Sequence, residues 1–309
     1  MNPLNKVVMP KAIEIVKTAS TKTQNICSNL ETAFPESYAV SRGEPTDISM
    51  PKGKVTLVGA GPGDAELLTI KAFRALQAAD VILFDKLVSD EVLDLARREA
   101  KRMLVGKRGG QPSCRQDDIN ALMVKLAKQG KHVVRLKSGD PMIFGRAGEE
   151  ISILEAEGIL VDVVPGITSA LAAAARLGVS LTHRDYAQSV KFVTAHSRKG
   201  ELPELDWKSF AGTKSTLMIY MGAKTAPKLS KVLIEKGANP QTPVMIAKGI
   251  MRDEESIEFL RLCDLLELKI DRTAPVLIGI GNVFLERCIA YENANLLDSP
   301  MVDVCALTA

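Results

Sequence analysis

Three glycines follow the first strongly apolar segment of the chain, and their spacing could form a binding site for a small molecule. Residues 54–64 read KVTLVGAGPGD, which places Gly59, Gly61 and Gly63 at alternate positions. Because glycine has no Cβ, this backbone can turn tightly and bring its amide groups close to a ligand. A simpler alternative is a glycine turn that only joins a strand to a helix.

The glycine pattern does not match the dinucleotide-binding fingerprint G-x-G-x-x-G, because Asp64 occupies the sixth position and Pro62 interrupts the loop. Pro62 has no amide proton, and a carboxylate at the start of the following helix would repel a phosphate. The loop therefore argues against NAD and remains compatible with a cationic or neutral adenosyl ligand.

Charged residues also stand at the ends of other apolar segments. Asp85 follows VILF, Lys107 follows RMLVG, and Asp140 follows a segment that begins HVVRLK. An aspartate and a lysine at neighbouring strand ends could serve as a base and a charge partner. The alternatives remain open, since a strand-end aspartate often caps a helix or organises a loop, and a lysine there often only binds a substrate carboxylate.

Apolar strand-like runs alternate with amphipathic helical runs from residue 54 onward, which predicts a parallel sheet buried on both faces. The carboxyl ends of such strands, which hold Gly61, Asp85, Lys107 and Asp140, are where functional residues gather. Strands are predicted at 54–58, 81–85, 102–107, 132–140 and 159–166, and helices at 64–79, 90–100, 116–130 and 167–178.

A second series of strands and a helix follows the first, so the fold class is α/β with two α/β domains that meet within residues 168–186. We expect domains at 51–168 and 169–292 and a tail at 293–309. Residues 1–50 are polar and lack an apolar stripe, which favours a flexible arm with one short helix near 12–18. The second series has strands at 189–196, 215–222, 243–249 and 274–284 and a helix near 226–236.

The composition limits the class of protein. A chain of 309 residues with 46% hydrophobic and 25% charged residues is typical of a soluble globular protein, and its longest apolar run is too short for a membrane span. The net charge of +3 predicts no nucleic-acid partner. Five dispersed cysteines indicate reduced thiols and a cytoplasmic location, and three histidines without ligand spacing predict no metal.

Six motifs occur together and in order, and with them the chain resembles the uroporphyrinogen-III C-methyltransferases, the methyltransferase module of siroheme synthase within the tetrapyrrole methylase superfamily. They are VGAGPGD, FDKLVS, VGKRGG, RLKSGDPMIFGRAGEE, VVPGITSA and LTHRDYAQSVKFVTAH. The resemblance implies two α/β domains with a cofactor cleft between them, S-adenosylmethionine as methyl donor, and a homodimer. It also implies two methylations of uroporphyrinogen III to precorrin-2, for siroheme or cobalamin.

The resemblance also assigns roles to individual residues. It implies that Asp85 is the proton acceptor and Lys107 the proton donor. The implied cofactor contacts are Pro62, Ser138, Gly139, Asp140, Ile143, Thr168, Ser169, Met221 and Ile250. The substrate carries acetate and propionate groups, for which the basic candidates are Arg108, Arg146, His183, Arg184, Lys191 and Arg198, although any one of them alone could be a surface charge.

The sequence departs from the family pattern at several positions. Ser138 stands where the family has glycine, and the late glycine contact falls on Ile250 beside Gly249. The segment GIMRDEE replaces the usual G-T-x-x-x-Q, and the histidine usual after VGKR is absent. Two alternatives therefore remain: a superfamily methylase with another substrate, such as a later corrin intermediate, diphthamide or ribosomal RNA, and a catalytically silent remnant of siroheme synthase.

Overall fold

The computed structural model describes residues 53–106, 115–197, 200–212 and 214–298. The arm predicted for residues 1–50 lies outside the described residues. Lys107, Arg108 and Arg198 lie outside them as well, so their predicted roles stay predictions.

Five parallel strands form the first sheet in the order β3-β2-β4-β1-β5. Their central members are almost wholly buried because helices cover both faces, which confirms the predicted parallel sheet. The parallel register sets Gly59 beside Lys137, so the loops after β1 and β4 leave the sheet side by side. The strands are β1 Lys54–Gly59, β2 Val81–Phe84, β3 Lys101–Leu104, β4 His132–Lys137 and β5 Leu160–Val164.

The described residues include four α-helices beside this sheet; two of them differ in extent from the prediction, and a third, at Ala147–Ala156, was not predicted. The helix expected over 64–79 is a 3-10 turn at Ala65–Leu67 followed by α1, because the Thr69 hydroxyl accepts the Ala72 amide and starts a new helix. The helix expected over 90–100 ends at Asp94. The helices are α1 Ile70–Ala78, α2 Asp90–Asp94, α3 Gln116–Lys128 and α4 Ala147–Ala156.

The second sheet has the order β6-β7-β10-β8-β9 and mixes directions: β6 and β7 are parallel, whereas the other pairs are antiparallel. The sequence pattern missed β9, although the exposed Ser256 and Glu258 alternate with the half-buried Ile257 and Phe259 at its start. The strands are β6 Ser189–Thr194, β7 Ser215–Tyr220, β8 Pro243–Lys248, β9 Ser256–Arg261 and β10 Val276–Ile280.

The remaining helices frame the second sheet. They are α5 Ser169–Leu177, α6 Trp207–Phe210, α7 Ala226–Glu235 and α8 Leu285–Asp298, and α8 extends into the segment that the sequence assigned to a tail from 293. All strands of the first sheet fall within 51–168 and all strands of the second within 169–292.

One strand of the first sheet carries charge into the core. On β4, Val134 and Leu136 face one apolar cluster, while Val133 faces the other, which includes residues of α3 and α4. Because side chains alternate along a strand, Arg135 and Lys137 lie on the same face as Val133. Both are buried, at 2% and 4% exposure. This face therefore needs a buried anion.

Candidate cofactor pocket and strand-end carboxylate

A cavity of about 470 Å³ is lined by loops that follow strands of both sheets. From the first half come the turns after β1 and β4, and from the second half come the ends of β7 and β8 and the segment that leads into β10. Every residue implied as a cofactor contact lines this one cavity: Pro62, Ser138, Gly139, Asp140, Ile143, Thr168, Ser169, Met221 and Ile250. The structure thus brings together positions that are up to 188 residues apart (250 − 62).

Glycines at the cavity floor are required by close backbone approach. A Cβ on Gly59 would lie 2.5 Å from the Gly166 nitrogen, and a Cβ on Gly166 would lie 2.3 Å from the Gly139 oxygen. Gly61 and Gly139 also exchange two backbone hydrogen bonds, of 3.2 and 2.7 Å. The glycine-rich segment is thus more than a connection, because it joins the loops after β1, β4 and β5 into one floor.

Asp140 organises the same floor through its side chain. Its Oδ1 accepts the Met142 amide at 2.8 Å and its Oδ2 accepts the Gly166 amide at 3.0 Å. Each carboxylate oxygen has a second lone pair, so the charge remains able to attract a cationic ligand. The expected pairing of Asp140 with a cationic amino-acid portion stays a prediction.

Tyr220 is a cavity residue that the sequence analysis missed. Its hydroxyl lies 2.7 Å from the Thr168 hydroxyl and accepts a hydrogen bond from the Ala170 amide at 3.3 Å. A side chain at the end of β7 thus provides a hydrogen-bond partner for an amide in the first turn of α5. The Phe144 ring packs 5.1 Å from the Tyr220 ring. A sequence signal existed, because Tyr220 directly precedes Met221.

Strained backbone is concentrated around the cavity. Phe144, Met221 and Met251 have φ values of 51°, 56° and 59°, in the left-handed region that non-glycine residues rarely occupy. Phe144 and Met221 line the cavity, and Met251 lies between its lining residues Ile250 and Arg252. Such conformations cost about 1 to 3 kcal/mol each and tend to cluster at functional sites.

Asp85 follows β2 directly, and its side chain is 32% exposed. Its Oδ1 accepts a hydrogen bond of 2.6 Å from Arg135 Nη2. Leu87, two residues further along, lines the cavity. Gly106 packs against this corner, since a Cβ there would lie 3.6 Å from the Asp85 Cα. The structure therefore places a carboxylate held by a buried cation near the cavity loops.

Behind Asp85 lies a buried set of charges that the sequence analysis also missed. Glu150 of α4 is fully buried and accepts from Lys137 Nζ at 2.9 and 3.0 Å and from Arg135 Nε at 3.3 Å. Burial lowers the pKa of the Lys137 ammonium, and the charge of Arg135 lowers it further. Two cations in the strand HVVRLK were the signal that a buried partner had to exist.

The described substrate candidates do not gather at one place. Arg146 precedes α4 and pairs with Glu149 through two hydrogen bonds of 3.0 and 2.6 Å, which raise its pKa. His183 stacks on Tyr186 and lines a separate cavity of about 210 Å³, and the neighbouring Arg184 is exposed. Lys191 donates to the Ser209 carbonyl at 2.6 Å. Their proposed roles toward a substrate stay predictions.

A family model for the Tetrapyrrole (Corrin/Porphyrin) Methylases matches residues 54–265, which is more than half of the chain. The chain belongs to this family of methylases. The resemblance inferred from the six motifs is confirmed, and the α/β fold class with it. The match covers all the residues that line the cavity floor.

Similar proteins also support membership in the tetrapyrrole methylase family. A siroheme synthase of Actinobacillus pleuropneumoniae serotype 7 is 50% identical over 240 residues, which are 77% of this chain and 49% of the relative. One of Neisseria meningitidis serogroup A is 48% identical over 252 residues, 80% of this chain and 51% of the relative. The chain thus spans about half the length of the curated relatives it matches.

A solved structure of the same family covers the described core. The uroporphyrin-III C-methyltransferase of Thermus thermophilus, crystallised with S-adenosylhomocysteine, is 39% identical, with a TM-score of 0.67. The alignment covers 76% of this chain and the whole length of the Thermus thermophilus chain.

Among the described residues, no helix is long and apolar enough to cross a membrane, and no group of His, Cys, Asp or Glu could hold a metal ion.

Proposed function

We propose that this tetrapyrrole methylase is an S-adenosylmethionine-dependent C-methyltransferase that converts uroporphyrinogen III to precorrin-2 by two methylations. The observation that carries the proposal is the convergence of all the implied cofactor contacts on one cavity. Its support from comparison is the Thermus thermophilus uroporphyrin-III methyltransferase, which is 39% identical and was crystallised with S-adenosylhomocysteine.

The cavity fits the proposed cofactor in size and chemistry. Its volume of about 470 Å³ lies within the range of small-molecule sites, roughly 300 to 1,000 Å³. Ile143, Met221 and Ile250 provide apolar contact for an adenosyl group, and Gly139 allows its backbone to approach. The carboxylate of Asp140 supplies the negative charge that favours a sulfonium and an ammonium.

Methyl transfer from a sulfonium is an in-line displacement, so the protein mainly has to align the methyl group with a nucleophilic pyrrole carbon. The sulfur keeps the electron pair of the broken bond, and a proton later leaves the substrate. Asp85 is the proposed acceptor of that proton and Lys107 the proposed donor. A carboxylate with 32% exposure at a strand end is accessible to a substrate.

Six basic side chains are proposed to hold the carboxylates of the tetrapyrrole. Arg184 is exposed and suits bidentate pairing, and His183 lies beside it. Arg146 is also exposed and would exchange its pairing with Glu149 for a substrate carboxylate. Arg108, Lys191 and Arg198 complete the proposed set. The product would serve siroheme or cobalamin synthesis.

The proposal extends to assembly and location. We propose a homodimer in the cytoplasm, with the domain division at 51–168 and 169–292. An open apolar groove lined by Leu171, Val179, Leu181, Val190 and Phe192 supports the dimer, since Leu171 is 49% exposed. A monomeric mass in light scattering at micromolar concentration would contradict the homodimer.

The test is incubation of the purified protein with uroporphyrinogen III and S-adenosylmethionine under anaerobic conditions, followed by mass spectrometry of the tetrapyrrole. A mass gain of two methyl groups is expected, with one S-adenosylhomocysteine formed for each. Binding of S-adenosylhomocysteine in calorimetry without any methylated product would favour a family methylase with another substrate. Absence of both binding and product would favour the silent remnant.

A further inference from the structure

Glu150 is fully buried, and its Oε1 accepts hydrogen bonds from three different side chains. Gln116 Nε2 donates at 2.9 Å, Lys137 Nζ at 2.9 Å and Arg135 Nε at 3.3 Å. A buried carboxylate costs several kcal/mol to desolvate, and replacing a buried ion pair with apolar residues is often neutral or stabilising. Stability alone is therefore a weak reason for charge at this place.

The guanidinium of Arg135 is fixed on three sides. Its Nε donates to Glu150, its Nη1 donates to the carbonyls of Leu83 and Leu136 at 3.4 and 3.2 Å, and its Nη2 donates to Asp85 at 2.6 Å. The guanidinium is planar and rigid, so two anchored nitrogens determine where the third one points. The direction of the Asp85 carboxylate thus depends on the anchor that Glu150 provides.

Charge balance makes the same connection. Arg135 and Lys137 carry two positive charges, and Asp85 and Glu150 carry two negative ones. Only the Asp85 side chain has substantial exposure, at 32% against 5% or less for the other three. Without the negative charge of Glu150, the buried cations Arg135 and Lys137 would repel each other across the face of β4. Arg135 would then leave its present plane.

We propose that Glu150 is a positioning residue, which acts through Arg135 to hold the Asp85 carboxylate in the orientation needed to accept a proton. This inference rests on the proposed function, because it requires that Asp85 take part in the methylation. Glu150 itself, being fully buried, acts only through Arg135.

The test is a double-mutant cycle with Glu150→Gln and Asp85→Asn, measured as the single-turnover rate of methylation. Glutamine keeps the shape of Glu150, so the dissociation constant of S-adenosylhomocysteine should change by less than about threefold while the rate falls about 10- to 100-fold. In the Asp85→Asn background the same substitution should slow the rate by less than about threefold, because nothing is left to position.

Glu155→Gln is the matched control, because Glu155 lies on the same helix and is exposed. It should leave both the rate and the binding constant unchanged. If Glu150→Gln fails to fold, as judged by circular dichroism, Arg135→Lys provides the second arm. Lysine keeps the positive charge but lacks the planar set of donors that the guanidinium presents to Glu150 and Asp85. The Arg135→Lys variant should therefore show the same non-additivity with Asp85→Asn.

The outcomes separate this inference from the proposed function. A parent protein without methylation activity, or an Asp85→Asn variant as fast as the parent, overturns the catalytic assignment and the positioning role together. A slow Asp85→Asn variant with an equal cost of Glu150→Gln in both backgrounds overturns only the positioning role. A cost confined to the background with Asp85 supports it.

Discussion

Arg252 Nη2 donates a hydrogen bond to the backbone carbonyl of Leu87, and both residues line the candidate cofactor cavity. The bond joins the loop after β8 to the loop after β2, and both loops contribute to the lining of the cavity. Burial lowers the pKa of the Arg252 guanidinium. Glu255 holds the same loop by accepting from Met251 N at 2.8 Å and from Arg176 at 2.7 Å. This is the segment GIMRDEE, in which the sequence departs from the family pattern.

Removing the Arg252 link should weaken cofactor binding. In Arg252→Met the stem of the side chain remains and the charge-assisted hydrogen bond to Leu87 is lost, which is worth about 1.5 kcal/mol, or roughly tenfold in affinity. Calorimetry with S-adenosylhomocysteine measures the change. Arg98→Met, which removes a charge at an exposed position, is the control. Equal affinity in the parent and Arg252→Met would show that the two loops are held in place without this bond.

Asp85→Asn should slow methylation while cofactor binding survives. The amide keeps the shape of the side chain and removes its ability to accept a proton at neutral pH, and loss of a general base typically costs about 10² to 10⁴ in rate. If Asp85 only organises its loop, asparagine should serve nearly as well. Single-turnover kinetics with saturating cofactor decide between them, and a rate within about threefold of the parent would remove Asp85 from the mechanism.

Gly166→Ala should disrupt the cavity floor. The added Cβ would lie 2.3 Å from the Gly139 oxygen and 2.8 Å from the Gly59 Cα, so backbone must move, at a cost of about 1 to 3 kcal/mol in unfolding free energy. Affinity for S-adenosylhomocysteine should fall with it, because Gly139 lines the cavity. Urea denaturation and calorimetry give the two quantities.

Gly148→Ala is the matched substitution for that experiment. Gly148 lies within α4, and a Cβ there meets no atom within 4 Å. Alanine should therefore stabilise the protein by about 0.5 to 1 kcal/mol, since glycine is a poor helix former. Destabilisation at both sites would mean that the contacts around Gly166 are not the cause.

The carboxylate of Asp80 should make a pH-dependent contribution to stability. The His132 amide and the Arg97 guanidinium bind it at 2.9 and 2.6 Å and hold its pKa below the ordinary value of 3.8. A carboxyl whose pKa is lowered by folding stabilises the protein above its ordinary pKa, and this stabilisation is lost as the pH falls through the lowered value.

The comparison is between the parent and Asp80→Asn. Because the Asp80 side chain is 38% exposed, solvent screening limits its contribution to about 0.5 kcal/mol at pH 7. Urea midpoints should differ at neutral pH and converge as the pH falls below 3.8. A difference that grows on acidification would have the wrong sign for this carboxylate.

Local patterns determined the first sheet and left the second incomplete. Strands buried on both faces read as continuous apolar runs between amphipathic helices, and that pattern predicts strands β1 to β5 and their parallel direction but not their order in the sheet. The directions of β8 to β10 depend on which strands pair, and pairing is a long-range relation that no local pattern contains. Local patterns also misplaced a helix end. The helix predicted over 90–100 ends at Asp94, and Arg97 beyond it donates to the Ala79 carbonyl.

The sequence by itself determined the floor of the candidate site. Gly59, Gly139 and Gly166 all lie within the recognised motifs, and the same motifs contain the implied cofactor positions from Pro62 to Ser169, although not Met221 and Ile250. Only the tertiary structure decided which residues support that floor: Tyr220 under Thr168, Arg252 across to Leu87, and Glu150 behind Arg135. These contacts join residues 15 to 165 positions apart. Their energy comes from burial and hydrogen-bond geometry, which exist only once the sheets have packed.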